Sequence, residues 1–403
     1  MKRPSLALLC GAACVVSAAV APAQERPKGY STVIPATVIA PENSATARFH
    51  ALVSPAPIPS FQYTLTAPAA LGGGTFSGSI IGRNPTNHGK TTTTVPTQVI
   101  PLVITINDTT GGSGSVTYDP TLPDACVAGN PTDVSILVNS PIFTKTTTWM
   151  MNGVNVGTTQ YIDAFQRAQF WGQVAGTPYH VILNESTLGS QAHTFTAGTN
   201  YDAAALFGGC GHIGVVNVND LNTVVQNLIT GPLAGTVNIG TFPVFLTKNV
   251  VMADPGHDLF ANCCILGFHS AIFVPGLQIY SPLVLDTSGT FDNDVTVMSH
   301  EMGEAINDPA TSNATPVWGN IGQVVGACQN NLEVGDPLSP GFGTPTNEFI
   351  VPGVVIPQYH LQELAFYSWF FGSTALGTGA GGGFSNNGTF KGFAKLCPPG
   401  GTN

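Results

Sequence analysis

Hydrophobic and polar positions recur along the chain in blocks that spell out most of its elements. Two short β-type runs, Thr32–Ile39 and Phe61–Leu65, are separated by Pro, Gly and Asn, and a threonine run follows at Thr91–Thr94. From Val99 to Ile106 the positions are nearly all apolar, which predicts a buried strand. Thr158–Gly172 carries Tyr161, Ile162, Phe165, Ala168 and Trp171 at helical spacing. Tyr179–Leu183 and Ile213–Val218 read as strands. The latter leads into a helix capped at Asp220, with Leu221, Val224, Val225 and Leu228 on one face and Gly231-Pro232 as its stop. Further strands are expected at Pro243–Met252 and Phe268–Val274, and Tyr359–Phe371 reads as a packed helix.

The stretch Asp294–Pro309 predicts another helix, with Asp294 as N-cap, Val295, Val297, Met298, Met302, Ala305 and Ile306 as its apolar positions, and Pro309 as its end. The polar Ala310–Gly326 behind it reads as a loop holding Trp318, and Gly377–Gly383 as a flexible linker. Strands alternating with helices give an α+β (mixed α/β) class: a central mixed sheet with a site helix against it, behind a β-rich N-terminal region. The division expected is a signal peptide at 1–23, the β-rich region at 24–96, an α/β domain at 97–372 and a Gly-rich tail at 373–403. No internal repeat is visible.

The leader rests on Lys2 and Arg3, the apolar run from Leu6 to Val20 and the small-residue end at Ala21-Pro-Ala23, the pattern of a secretory signal peptide. It implies a secreted or periplasmic protein. No later run is long and apolar enough for a membrane span. The formal net charge is -10 and only 8% of residues are charged. That excess of acid supplies no basic face for phosphates, so nucleic acid is not an expected partner. Mean hydropathy is +0.21. With a polar load of Thr, Ser, Asn and Gly, this suits strands and turns rather than disorder. Behind the leader stand Cys126, Cys210, Cys263, Cys264, Cys328 and Cys397. An even count in an exported chain favours disulfides, with the adjacent Cys263 and Cys264 bonding to different partners and the pairing left open.

The chemistry concentrates in the Asp294–Pro309 helix. His300 and Glu304 are four residues apart and share a helix face, with Glu301 beside them. This is the spacing of His-Glu-x-x-His, in which two residues one turn apart hold zinc and the intervening glutamate serves as base. Here Glu304 stands in the second ligand's place, giving a harder and more anionic set that also admits calcium or another hard cation. A third ligand is sought beyond the helix. Glu333, twenty-nine residues after Glu304, is the first choice; Asp336 is its alternative or a group that orients a ligand, and Asp308 ranks third. His360 or Tyr359 is the candidate helper for a developing oxyanion. His212 and His269 are expected to be satisfied structural residues. His257 is expected to lie in a turn with Asp254 and Asp258, and His50 and His88 to be solvated. No Gly-x-Ser-x-Gly elbow or phosphate loop is present, so serine-hydrolase and nucleotide readings have no support.

Gly267-Phe-His269 after the cysteine pair, Asn293-Asp-Val295, Asn307-Asp-Pro309 and Leu332-Glu333 together resemble the exordium, or phosphate-induced-protein, family and its bacterial zincin-like relatives. The resemblance spans roughly Val99 to Asp336. It implies a secreted protein with a metallopeptidase-like core. Plant members that lack the His-Glu pair are regarded as extracellular growth or signalling proteins. The function expected is therefore a metal-dependent hydrolase of peptide or protein substrates with zinc, or another divalent cation, held by His300, Glu304 and Glu333. The alternative is a noncatalytic extracellular interaction protein on the same scaffold. If it is a peptidase, residues 24–96 occupy the position of a propeptide.

Overall fold

The Thr92–Asp108 strand is the spine of a large mixed sheet in this computed structural model, which describes residues 30–31, 37–38 and 56–394 apart from 87–90, 109–113, 197–199, 254–263, 275, 320–327, 340–346, 373–375 and 377. The expected leader, His50, His88, the Asp254–Asp258 turn, Cys263 and Cys397 lie outside the described residues. Seventeen residues long, the spine strand passes without a break across residue 96. Its first part pairs in parallel with His180–Thr187 and with Phe242–Lys248. Its second part pairs with Gln191–Thr196 in parallel and with Gly114–Tyr118 antiparallel.

The sheet continues from Phe242–Lys248 to Leu277–Leu285, then Ile265–Gly267, Val250–Ala253, His212–Asn217 and Tyr201–Ala204. Phe242–Lys248 and Leu277–Leu285 are buried at almost every position. They belong to the sheet interior, covered on both faces, and their near-continuous apolar runs follow from that. The fold is a mixed α+β arrangement with one large mixed sheet and small two-stranded satellites, among them the Ser60–Thr66 and Thr75–Ile81 hairpin. A disulfide joins Cys126 to Cys210, and Cys264 and Cys328 are disulfide-bonded as well. Among the described residues, no helix is long and apolar enough to cross a membrane.

The helix that carries His300 runs from Thr296 to Asn307, and all twelve of its residues are buried. It packs against Leu277–Leu285, Ile265–Gly267, Gln358–Gln362, Thr75–Ile81 and the Tyr161–Gln169 helix. Close approach to the sheet is possible because residue 267 is glycine: a Cβ there would stand 2.9 Å from both Glu301 Cγ and Val297 Cγ1. A helix enclosed on every side must satisfy its own polar groups. Asn307 Nδ2 donates to the Gly303 carbonyl, and Asn307 Oδ1 accepts from Gln169 Nε2 at 2.8 Å.

Several expected boundaries change for local reasons. Asp294 is not the N-cap: Val295 holds that place without a side-chain bond, while Asp294 accepts from the amides of Val295 and His360 and so ties the helix start to the Gln358–Gln362 strand. The Val218–Thr230 helix is capped one turn earlier than Asp220, by the Asn217 side chain. Asn249, at φ 49°, breaks the expected Pro243–Met252 strand into Phe242–Lys248 and Val250–Ala253. Tyr359–Phe371 is not one helix. Its first part is a strand paired with Glu348–Pro352, and only Tyr367–Phe371 is helical. Inside the expected 310–326 loop, Ala314–Gly319 forms a hairpin with Cys328–Asn331. The glycines near 380 are not slack: a Cβ at Gly381 or Gly383 would collide with Asn152, whose side chain donates to the Ala380 carbonyl.

Candidate metal centre

The helix brings His300, Glu301 and Glu304 together, the loop after Cys328–Asn331 brings Glu333 and Asp336, and the turn between two short sheet strands brings His269. None of these six side chains belongs to a residue more than 4% exposed. Putting so many carboxylates in an interior is costly unless cations or donors meet them.

Glu304 lies at the middle. Its Oε1 accepts from the backbone amides of Gly335 (3.0 Å) and Asp336 (3.3 Å) and stands 3.1 Å from His300 Nε2. Its Oε2 lies 3.6 Å from His269 Nδ1. The other nitrogen of each imidazole is already engaged, and that fixes where the lone pair sits. For His300, Gln362 donates through Nε2 to the Gly335 carbonyl, so its Oε1 is left to accept from His300 Nδ1 at 3.0 Å. For His269, Nε2 donates to the Asp308 carbonyl at 3.1 Å. In the neutral rings, His300 Nε2 therefore presents its lone pair toward Glu304, and His269 Nδ1 presents its own toward Glu301 Oε2 at 3.3 Å and Glu304 Oε2 at 3.6 Å.

A lone pair against a carboxylate is repulsive unless a cation or proton lies between them. Without a metal the imidazoles take protons. Burial works against that, but Glu304, Glu301 and Asp336 outweigh it and push His300 up to about 10. His269 is raised in the same way, burial opposing and Glu301, Glu304 and Asp308 prevailing. Glu333 is held well above the ordinary glutamate range, first by burial and then by repulsion from Glu304, Asp308, Asp336 and Glu301.

Two overlapping groups have the spacing to hold a metal ion: His269, Glu304 and Glu333, and His300, Glu304 and Asp336. Donors around a four-coordinate ion at about 2.0–2.1 Å stand roughly 3.4 Å apart. The His300 Nε2 distances to Glu304 and Asp336, 3.1 and 3.5 Å, bracket that value. Two buried atoms sharpen the fit: His300 Nε2 and Glu333 Oε2 have no hydrogen-bond partner among the described residues. Behind the donors, Asn331 Nδ2 donates to Glu333 Oε1 and Gln329 Nε2 to Asp336 Oδ2, bonds that would orient ligating carboxylates.

Comparison of the chain with family models, with curated proteins and with solved structures gives no match. The chemistry of the site rests on its own geometry.

Of the residues singled out from sequence, His300, Glu301, Glu304, Glu333 and Asp336 converge here. Glu333 faces His269, 3.7 Å from its Nε2, while Asp336 is the carboxylate beside His300. Asp308 contributes its backbone carbonyl. Its carboxylate accepts from the amides of Ser312 and Asn313 and closes the turn after the helix. His360 and Tyr359 do not supply an oxyanion helper: His360 Nδ1 is 2.6 Å from Asp294, and the Tyr359 hydroxyl donates to the Ile136 carbonyl. His212, expected to be a satisfied structural residue, has its Nδ1 2.9 Å from Asp202.

His269 has a partner at each ring nitrogen, Glu301 and the Asp308 carbonyl, and it also joins a group with metal-ligand spacing that the sequence did not point to. Taken for a satisfied structural histidine, it stands 3.3 Å from Glu301 and within reach of Glu304 and Glu333. No fixed spacing links it to His300, because the sheet rather than a helix turn brings it in. The available signal was Gly267 two residues before it, where the chain needs room for the helix.

Proposed function

We propose that the protein is a secreted, metal-dependent hydrolase of the metallopeptidase type, with a zincin-like site in which Glu304 is the central ligand. The observation that carries this reading is the buried His300 Nε2, which faces the Glu304 and Asp336 carboxylates with no hydrogen-bond partner among the described residues while Gln362 holds the opposite nitrogen. Histidine with carboxylates suits zinc and also admits another divalent cation. Such an ion supplies Lewis acidity toward a carbonyl and makes water a better nucleophile at neutral pH.

The chain's own residues divide the rest of the work. His300, Glu304 and either Asp336 or Glu333 hold the cation, and the Gly335 and Asp336 amides hold Glu304. Glu301, one position after His300 and buried against His269, takes the proton of the attacking water and returns it to the leaving amine. The anionic ligand set tempers the Lewis acidity and makes for slower turnover than a two-histidine site. The resemblance to zincin-like secreted proteins is in keeping with this assignment.

A second reading, a noncatalytic extracellular interaction protein on the same scaffold, draws on the burial of every one of these groups. The test is hydrolysis of a peptide library by the zinc-reconstituted chain beside Glu301→Gln. Cleavage that falls by about 10²–10⁴-fold in the variant, with bound metal retained, supports the hydrolase. Bound metal without cleavage supports the second reading. A chain that takes up no divalent cation overturns both the site and the hydrolase.

A further inference from the structure

We infer that the centre takes two divalent cations, bridged by the Glu304 carboxylate; the inference rests on the metal site proposed above. The two oxygens of Glu304 face different histidines, Oε1 toward His300 Nε2 and Oε2 toward His269 Nδ1. Each imidazole has its far nitrogen committed, one to Gln362 and one to the Asp308 carbonyl, so His300 turns its lone pair toward Glu304 Oε1, and His269 turns its own into the space between Glu301 Oε2, 3.3 Å away, and Glu304 Oε2, 3.6 Å away. One ion can satisfy only one of these pairs. Each half also has its own second carboxylate: Asp336 is grouped with His300 and Glu304, Glu333 with His269 and Glu304. Among the described residues, each half contains a buried atom with no hydrogen-bond partner, His300 Nε2 in the first and Glu333 Oε2 in the second.

In two-metal sites the ions lie about 3.5–4 Å apart and clamp both the attacking and the leaving group of a displacement. A carboxylate reaching one ion through each oxygen is the link such a separation needs.

The experiment uses the full wild-type chain, stripped with EDTA and reconstituted with zinc or manganese. Elemental analysis after reconstitution is expected to give two equivalents of zinc, and the two-manganese form an electron paramagnetic resonance spectrum with exchange coupling between the ions. One equivalent overturns the inference and leaves the single-metal site standing. No bound metal overturns the site itself. Two equivalents with uncoupled manganese place the second ion elsewhere and overturn the bridge. His269→Asn is expected to lower the count from two to one while the His300 half stays loaded; a count of two in that folded variant also overturns the inference.

Discussion

Gly335 lies against the imidazole of His300 so closely that a Cβ at 335 would stand 2.6 Å from the ring's Cγ and Nδ1. With φ at -86°, the backbone there is open to any residue, so glycine is required for space rather than for twist. Gly335→Ala must push away either the ring or the loop whose amides hold Glu304. Overpacking of this kind costs about 1–3 kcal/mol, and disturbing groups that orient ligands weakens metal binding roughly 10–100-fold. Urea unfolding and zinc titration of the variant measure both. Unchanged zinc affinity would show that the loop does not position Glu304.

Two other glycines make a contrast. At Gly267, Glu301 Cγ, Val297 Cγ1 and Leu283 Cδ2 converge on the Cβ position at 2.9–3.0 Å, whereas at Gly303 the only close atom is the tip of Leu364, 2.7 Å away with the next at 3.7 Å. Leu364 can rotate, and alanine in a helix interior is favoured over glycine by about 1 kcal/mol. Gly303→Ala is therefore expected to be near neutral. Gly267→Ala is expected to destabilise by about 1–3 kcal/mol through overpacking. The reverse order in urea unfolding would contradict this packing of the helix on the sheet.

Stability of the metal-free protein is expected to fall as pH rises. His300 titrates at 6.5 when exposed and at about 10 when folded, so its contribution is complete below pH 6.5 and is lost as pH climbs through about 10. Glu333 acts in the same direction, because its raised folded pKa makes ionisation above the ordinary glutamate range unfavourable. Bound cation replaces these protons, and its affinity strengthens with pH. Melting curves in EDTA and in zinc should therefore diverge between pH 6.5 and 10. A melting temperature that rises in EDTA across that window would refute the protonated cluster.

The Cys126–Cys210 bond closes a separation of 84 residues. A loop of that size corresponds to about 4–5 kcal/mol of chain-entropy stabilisation. The Cys126→Ser, Cys210→Ser double variant should lose an amount of that order in urea unfolding. The metal centre, built on other elements, should bind zinc as before at low temperature.

Local chemistry made part of this legible in the sequence and hid the remainder. The Ile213–Val218 strand and the helix after it were readable because Leu221, Val224, Val225 and Leu228 repeat at the helical period and the observed helix ends at Thr230, just before Gly231. The site helix could be read from His300 and Glu304 at i and i+4. The strand at Gln358–Gln362 was not separable from the helix behind it, since Tyr359 and Leu361 fit the strand period while Leu361 and Leu364 fit the helical one until the pairing with Glu348–Pro352 is known. The break at Asn249 depends on a left-handed residue that is not glycine. His269 reaches the cluster only through strand pairing, a relation that spacing along the chain does not encode.

The enclosure of the Thr296–Asn307 helix bears on when, during the life of the chain, the centre can exist at all. Its walls come from residues 75–81 before it, from 265–285, and from 358–362 after it, and Gln362, from the last of these, fixes the His300 ring. A nascent chain that has just produced the helix still lacks the group that points Nε2 at Glu304. Contacts spanning such sequence distances form late and slowly. A cation that binds only the finished arrangement favours the folded state over every precursor in proportion to its free concentration, which makes metal supply at the site of folding a determinant of how much of the protein reaches its final form.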